Sequence, residues 1–216
     1  MKKIKYIIAI VALFSILCPI HAQRSSDARK ILDKTAERLT QEKGVKATFK
    51  AEIFNDGNSQ GFTTGDICLE NNKFCISTAD MTTWFNGETQ WTYVKANEEV
   101  NISTPTEEEL QTLNPYMFIQ LYKSGYKYNM VETELRGKAC YEITLTAKKK
   151  NKSVNVFVLN IEKQTNELMC IRMQDNQNHK WTRIAIHDFQ SNIEFKNEDF
   201  EFNEKNYPDA ELIDLR

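Results

Sequence analysis

Only two histidines, His179 and His187, lie beyond the first 22 residues of this 216-residue chain. Neither stands at a metal-ligand spacing from a cysteine or a carboxylate, so no metal centre is expected. Asp188 follows His187 and invites a proton-relay reading. Neighbours on a strand point to opposite faces, however, and no serine is marked as their nucleophile. There is no P-loop, no GxGxxG after a strand and no HExxH. Thr106-Glu107-Glu108-Glu109 is a capping box, in which the threonine hydroxyl and the third glutamate satisfy each other's helix-start amides. Lys148-Lys149-Lys150 fits a solvated hairpin tip; three lysines are a small footprint for an anion. With no catalytic constellation, the chain is not expected to be an enzyme or to need a cofactor.

Four cysteines follow residue 22, without a CxxC pair. Cys68 and Cys75 flank Asn71-Asn72. If those asparagines form a two-residue turn, the cysteines face each other at a hydrogen-bonded position, and whether they are bridged stays open. Cys140 and Cys170 fall on strands with another strand between them and are expected to be free, packing as small hydrophobes.

If no polar constellation carries the function, an apolar surface must, and the elements decide where it lies. Ala28, Ile31, Leu32, Thr35, Ala36 and Leu39 recur at three- and four-residue steps and draw one apolar stripe along a helix. Ser25 or Ser26 can cap it, and Gly44 lies beyond its end. From Val45 to Val100 the period becomes two. Asn55-Asp56-Gly57-Asn58, Asn71-Asn72 and Asn86-Gly87 supply the turns. Trp91 and Tyr93 share a face. The capping box then opens a helical pair. Asn114-Pro115 divides it, Met117, Phe118, Ile119, Leu121 and Tyr122 make its second member apolar on more than one side, and Gly125 stops it. Strands resume over Tyr126–Val131, Cys140–Ala147, Ser153–Ile161, Glu167–Gln174 and Lys180–Phe189. Phe200 and Phe202 suggest a last short strand before an extended tail. The expected fold is α+β and mainly β: one antiparallel sheet of about ten strands, covered by an N-terminal helix and a mid-chain helical lid. A sheet that wide curls, and helices over its hollow face can leave an apolar cavity.

Lys2, Lys3 and Lys5 precede an apolar run from Ile7 to Leu17. That is the pattern of an export signal, with cleavage expected after Ala22 and a single domain over residues 23–216. A lipid-attachment reading centred on Cys18 is disfavoured by Leu17, where a small residue is wanted. Removing residues 1–22 takes away three lysines and no acid, so the net charge falls from −2 to −5. That sign argues against nucleic acid as a partner.

Gly65 to Phe74 (GDICLENNKF), Trp84 to Tyr93 (WFNGETQWTY), Asn114 to Ile119 (NPYMFI) and the closing Phe200-Glu201-Phe202 with Tyr207-Pro208 resemble the periplasmic outer-membrane lipoprotein carrier family (LolA-like). The resemblance covers nearly all of the chain beyond the signal. It implies an open half-barrel with a helical lid, and a monomer that hides lipoprotein acyl chains between an inner-membrane ABC transporter and an outer-membrane acceptor. It also implies a lid held by an arginine in the hairpin turn before a proline and phenylalanine. Here the turn reads Glu70-Asn71-Asn72-Lys73-Phe74, with neither arginine nor proline. The residues expected to line the cavity are Phe49, Trp84, Trp91, Tyr93, Met117, Phe118, Leu121, Tyr141, Ile143 and Met173. The same fold could instead serve a lipid- or glycolipid-binding sensor, or, with Cys18 acylated, a tethered acceptor of lipoproteins.

Overall fold

The computed structural model describes residues 20–41, 43–106, 109–110, 122–123, 125–149, 154–175 and 180–216. Helix α1 runs Ile20–Gln41. It begins upstream of Ser25 and Ser26, which therefore lie inside it and do not cap it. Its predicted stripe is the buried one: Ala28, Leu32, Thr35 and Leu39 are buried, with Ile31 and Ala36 packed beside them. Near its end Arg38 Nη2 pairs with Glu167 Oε1 at 2.8 Å.

Among the described residues, twelve strands form one sheet: β1 Val45–Asn55, β2 Asn58–Glu70, β3 Lys73–Thr78, β4 Met81–Phe85, β5 Gln90–Val94, β6 Glu99–Ser103, β7 Tyr126–Leu135, β8 Lys138–Ala147, β9 Val154–Glu162, β10 Leu168–Asp175, β11 Trp181–Ser191 and β12 Glu211–Asp214. Their order is β12-β6-β5-β4-β3-β2-β1-β11-β10-β9-β8-β7, and the sheet is open. The expectation of about ten antiparallel strands is corrected at the C-terminus. There β12 joins β6 in parallel, Leu212 opposite Val100, after a tail long enough to return in the same direction.

The predicted turns recur with their chemistry. Asp56 and Gly57 take positive φ between Asn55 and its partner Asn58. Asn71 does the same between Glu70 and Lys73, as do Arg136 and Gly137 between Leu135 and Lys138. Asn86-Gly87 also makes a hairpin, but through a four-residue loop closed by Phe85 and Gln90. The Asn86 Oδ1 accepts from the amides of Glu88 (3.1 Å) and Thr89 (3.0 Å), and this local turn outcompetes the tighter one.

The two faces of the sheet differ. The face under α1, here the inner face, carries the continuous core: Val45, Ala47, Ile67, Leu69, Phe74, Phe85, Ile143, Leu145, Phe157, Leu159, Ile161 and Ile171. On the outer face, half the sheet is polar. Arg172 and Asn160 both donate to Glu142 Oε2, and Lys138 Nζ donates to Glu162 Oε2 at 2.9 Å. The lysine, helped by the Thr165 hydroxyl, holds the Glu162 carboxyl below the usual carboxylate range. A depressed carboxylate pKa contributes stability in full above its unfolded value, near 4.5. That contribution drains away as pH falls through the lower folded value. Glu162→Gln is therefore expected to flatten the acid limb of a stability–pH curve below pH about 4.5, measured by urea unfolding at successive pH values.

Candidate functional site

Four described members of the predicted cavity set are assembled by the inner face. Ile143 is fully buried there, and Phe49, Tyr141 and Met173 pack around the core while keeping part of their surface open. Register explains the grouping, because directly paired residues share a face. Phe49 lies opposite Ile186, Met173 opposite Phe157 and Thr182, and Tyr141 opposite Ile161. Gly65 lies opposite Phe49 across β1–β2. A Cβ at Gly65 would stand 2.8 Å from the Phe49 ring, so the missing side chain is what lets that ring settle there.

Cover is lost along the inner row of β1. Val45 is 1% exposed and Ala47 3%, Phe49 is half-buried, and Ile53 is 48% exposed. Ile184 and Ile186 on β11 are half-buried beside this row. An apolar floor thus continues past the helix-covered core.

Trp84, Trp91 and Tyr93 are not part of it. Trp84 pairs with Trp91 across β4–β5, and Phe85, not Trp84, belongs to the inner core. The alternation of the strands puts all three on the outer face. There the C-terminal tail covers Trp84 and Tyr93. The Trp84 ring meets Phe202 at 5.7 Å and Tyr207 at 5.8 Å, and Tyr93 meets Tyr207 at 4.6 Å. Phe200, fully buried, packs on Phe195 at the base of the tail. Period two shows which residues share a face but not which face the helix takes. The available signal was Phe195, Phe200, Phe202 and Tyr207, four aromatics in an otherwise polar tail that had to be buried somewhere.

Met117, Phe118 and Leu121, with most of the predicted helical pair, lie outside the described residues. Both ends of that connection are described. At its start Thr106 Oγ1 and the Thr106 amide donate to Glu109 Oε2 at 2.8 and 2.7 Å, and the Glu109 amide returns to Thr106 Oγ1. This is the predicted capping box, and it lowers the Glu109 pKa. Leu110 packs against the inner core. At the other end Tyr122 is 1% exposed and also belongs to that core. Its hydroxyl donates to Asp33 of α1, and its carbonyl accepts from Tyr128. Burial first, and Asp33 second, push the Tyr122 phenol pKa up. Tyr122→Phe is expected to cost about 1 kcal/mol and to speed limited proteolysis between residues 104 and 125.

Among the described residues, the polar candidates are held by separate partners. The Arg136 guanidinium donates to the Ile186 carbonyl (2.8 Å) and touches His187 Nδ1 (2.6 Å), while Asp188 accepts from the Thr48 hydroxyl (2.8 Å). The relay has no member in common. Gly57-Asn58-Ser59-Gln60-Gly61 spells the GxSxG pattern, but in the β1–β2 hairpin and not at the strand-to-helix turn a nucleophile needs. The Ser59 hydroxyl donates to Glu52 at 2.8 Å. His179 lies outside the described residues. Among the described residues no three metal-ligating side chains cluster, and no helix is long and apolar enough to cross a membrane. Lys73, in the turn where the carrier family places its arginine, points away from the inner face, its Nζ donating to Asn197 of the tail at 2.6 Å.

The family model described as outer membrane lipoprotein carrier protein LolA matches residues 18–177. The chain belongs to that family. No curated protein matches it. Among solved structures, a conserved protein from Thermus thermophilus is similar over 87% of this chain and 99% of its own, with 11% identity and a TM-score of 0.58. A LolA superfamily protein from Nitrosomonas europaea is similar over 81% and 97%, with 9% identity and a TM-score of 0.45. The LolA match ends before β11, so the strand beside Phe49 and the aromatic tail lie beyond it.

Proposed function

We propose that this chain is an exported carrier. It shields the acyl chains of lipoproteins on its inner face and ferries them from the inner to the outer membrane. The observation that carries the reading is the β1 row, buried at Val45 and open at Ile53: an apolar floor larger than the helix covers. Acyl transfer to water costs about 0.8 kcal/mol per CH₂, so one chain of about fifteen carbons costs roughly 12 kcal/mol. No single side chain offsets that, whereas a floor built from Phe49, Met173, Ile184 and their neighbours can. Half-open cover also suits release, because cargo held by partly exposed residues can leave without unfolding the core.

The lid is part of the same proposal. The chain leaves β6, next to one edge of the sheet, and re-enters at β7, the opposite edge. Leu110 and Tyr122 pin the two ends of the connection to the inner core. In this reading Met117, Phe118 and Leu121, which lie outside the described residues, serve as acyl-chain contacts of that lid. Residues 1–22 are the export signal and residues 23–216 the carrier domain. It works as a monomer, without enzymatic activity, cofactor or nucleic acid. It receives cargo from an inner-membrane ABC transporter and delivers it to an outer-membrane acceptor. Native mass spectrometry of the protein purified from the periplasm without detergent tests this. An intact lipoprotein or diacyl species should ride on a chain that begins at Gln23. A bare chain that also fails to take up a synthetic diacylated peptide contradicts the reading.

A further inference from the structure

Cys68 and Cys75 are Cα partners across the β2–β3 hairpin, and both are unbridged thiols. The turn between the strands has two residues, so Glu70 with Lys73 is the closing hydrogen-bonded pair, and the cysteines, two steps along, are the next pair of that kind. Their side chains leave the sheet on the same face. The Cα separation at such a position, about 5.5 Å, falls where disulfides are commonest. Ile67, Leu69 and Phe74 belong to the inner core, so the cysteines between them face outward, beneath the C-terminal tail. Cys75 also pairs with Trp84, the residue on which Phe202 and Tyr207 rest. Cys140 and Cys170 offer no such geometry. They occupy β8 and β10 with β9 between, and the Cys140 thiol sits 3.5 Å from Met169 Sδ.

We propose that Cys68 and Cys75 are a redox site, closing to a cross-strand disulfide that staples the β2–β3 hairpin under the aromatic tail. The chemistry is thiol–disulfide exchange with a small or protein disulfide. One cysteine attacks the donor to give a mixed disulfide and releases one donor thiol. The other cysteine displaces the second donor thiol. Two protons and two electrons leave the pair, and the donor is reduced to two thiols. Burial pushes the Cys75 thiol up to about 12 and raises Cys68 as well. The reaction should therefore be slow in the folded protein and quicker when the tail is lifted, since the thiolate is the attacking form.

The test equilibrates the full chain beyond the signal with oxidised and reduced glutathione. It is then denatured and alkylated, and its peptides are read by mass spectrometry. The bridged form is expected to exceed the glutathione-capped form at least about tenfold, because the second thiol is held at high effective concentration. Cys140 and Cys170 should carry the alkyl label. Cys75→Ser should leave Cys68 labelled or capped. Oxidation should raise the unfolding midpoint of the parent protein and not that of the variant. Alkylation of both Cys68 and Cys75, a stable glutathione cap on one of them, or a bridge to Cys140 or Cys170 would each overturn the proposal.

Discussion

Phe49→Asp is expected to weaken binding of a diacylated cysteine peptide at least tenfold, about 1.4 kcal/mol or more. Phe49 is half-buried at the point where cover over the inner face gives out. A carboxylate there must either stay hydrated, which wets the proposed acyl site, or lose its water against hydrocarbon. Met173→Asp, on the inner row of β10 with β11 between it and β1, should act in the same direction. Isothermal titration with the diacylated peptide, beside an unacylated control of the same sequence, measures the loss. Circular dichroism establishes that each variant is folded. Unchanged affinity in both variants would remove the inner face from the account.

The second large effect is on stability and leaves binding alone. Trp84→Ala is expected to cost about 3–5 kcal/mol, the range for emptying a buried tryptophan site. Trp84 is 9% exposed, and its ring touches both Phe202 and Tyr207. The deletion opens a void and frees the tail as well. Because the ring is on the face away from Phe49 and Met173, affinity for the diacylated peptide should change less than about twofold, well under 1 kcal/mol. Urea unfolding and titration of the same preparation separate the two readouts. A variant with parent-like stability but lost binding would return Trp84 to the cavity.

These two residues also mark what was legible beforehand. Local chemistry was readable: the Asp56-Gly57 and Asn71-Asn72 turns, the Thr106–Glu109 capping box, and the stripe from Ala28 to Leu39 all depend on residues a few positions apart. Phe49, Tyr141, Ile143 and Met173 fall together on the inner face because each stands on the core-facing side of its strand's alternation. The face taken by Trp84 and Tyr93 was not legible. It depends on Phe202 and Tyr207, more than a hundred residues away, and on a tail that returns to pair β12 with β6 in parallel. A Trp-and-Tyr strand looks the same in sequence whether it faces a ligand cavity or a strap of its own chain.

In the proposed carrier, acyl chains lie on the inner face beyond α1. Photo-crosslinking tests it most directly, with a diacylated cysteine peptide carrying a diazirine in one acyl chain and mass spectrometry to locate the label. Saturable labelling concentrated at Phe49, Met173, Ile184 and their inner-face neighbours, sparing Trp84, Trp91 and Tyr93, is the predicted result. Labelling centred on the outer-face aromatics, or labelling that an unacylated competitor removes equally well, would contradict it.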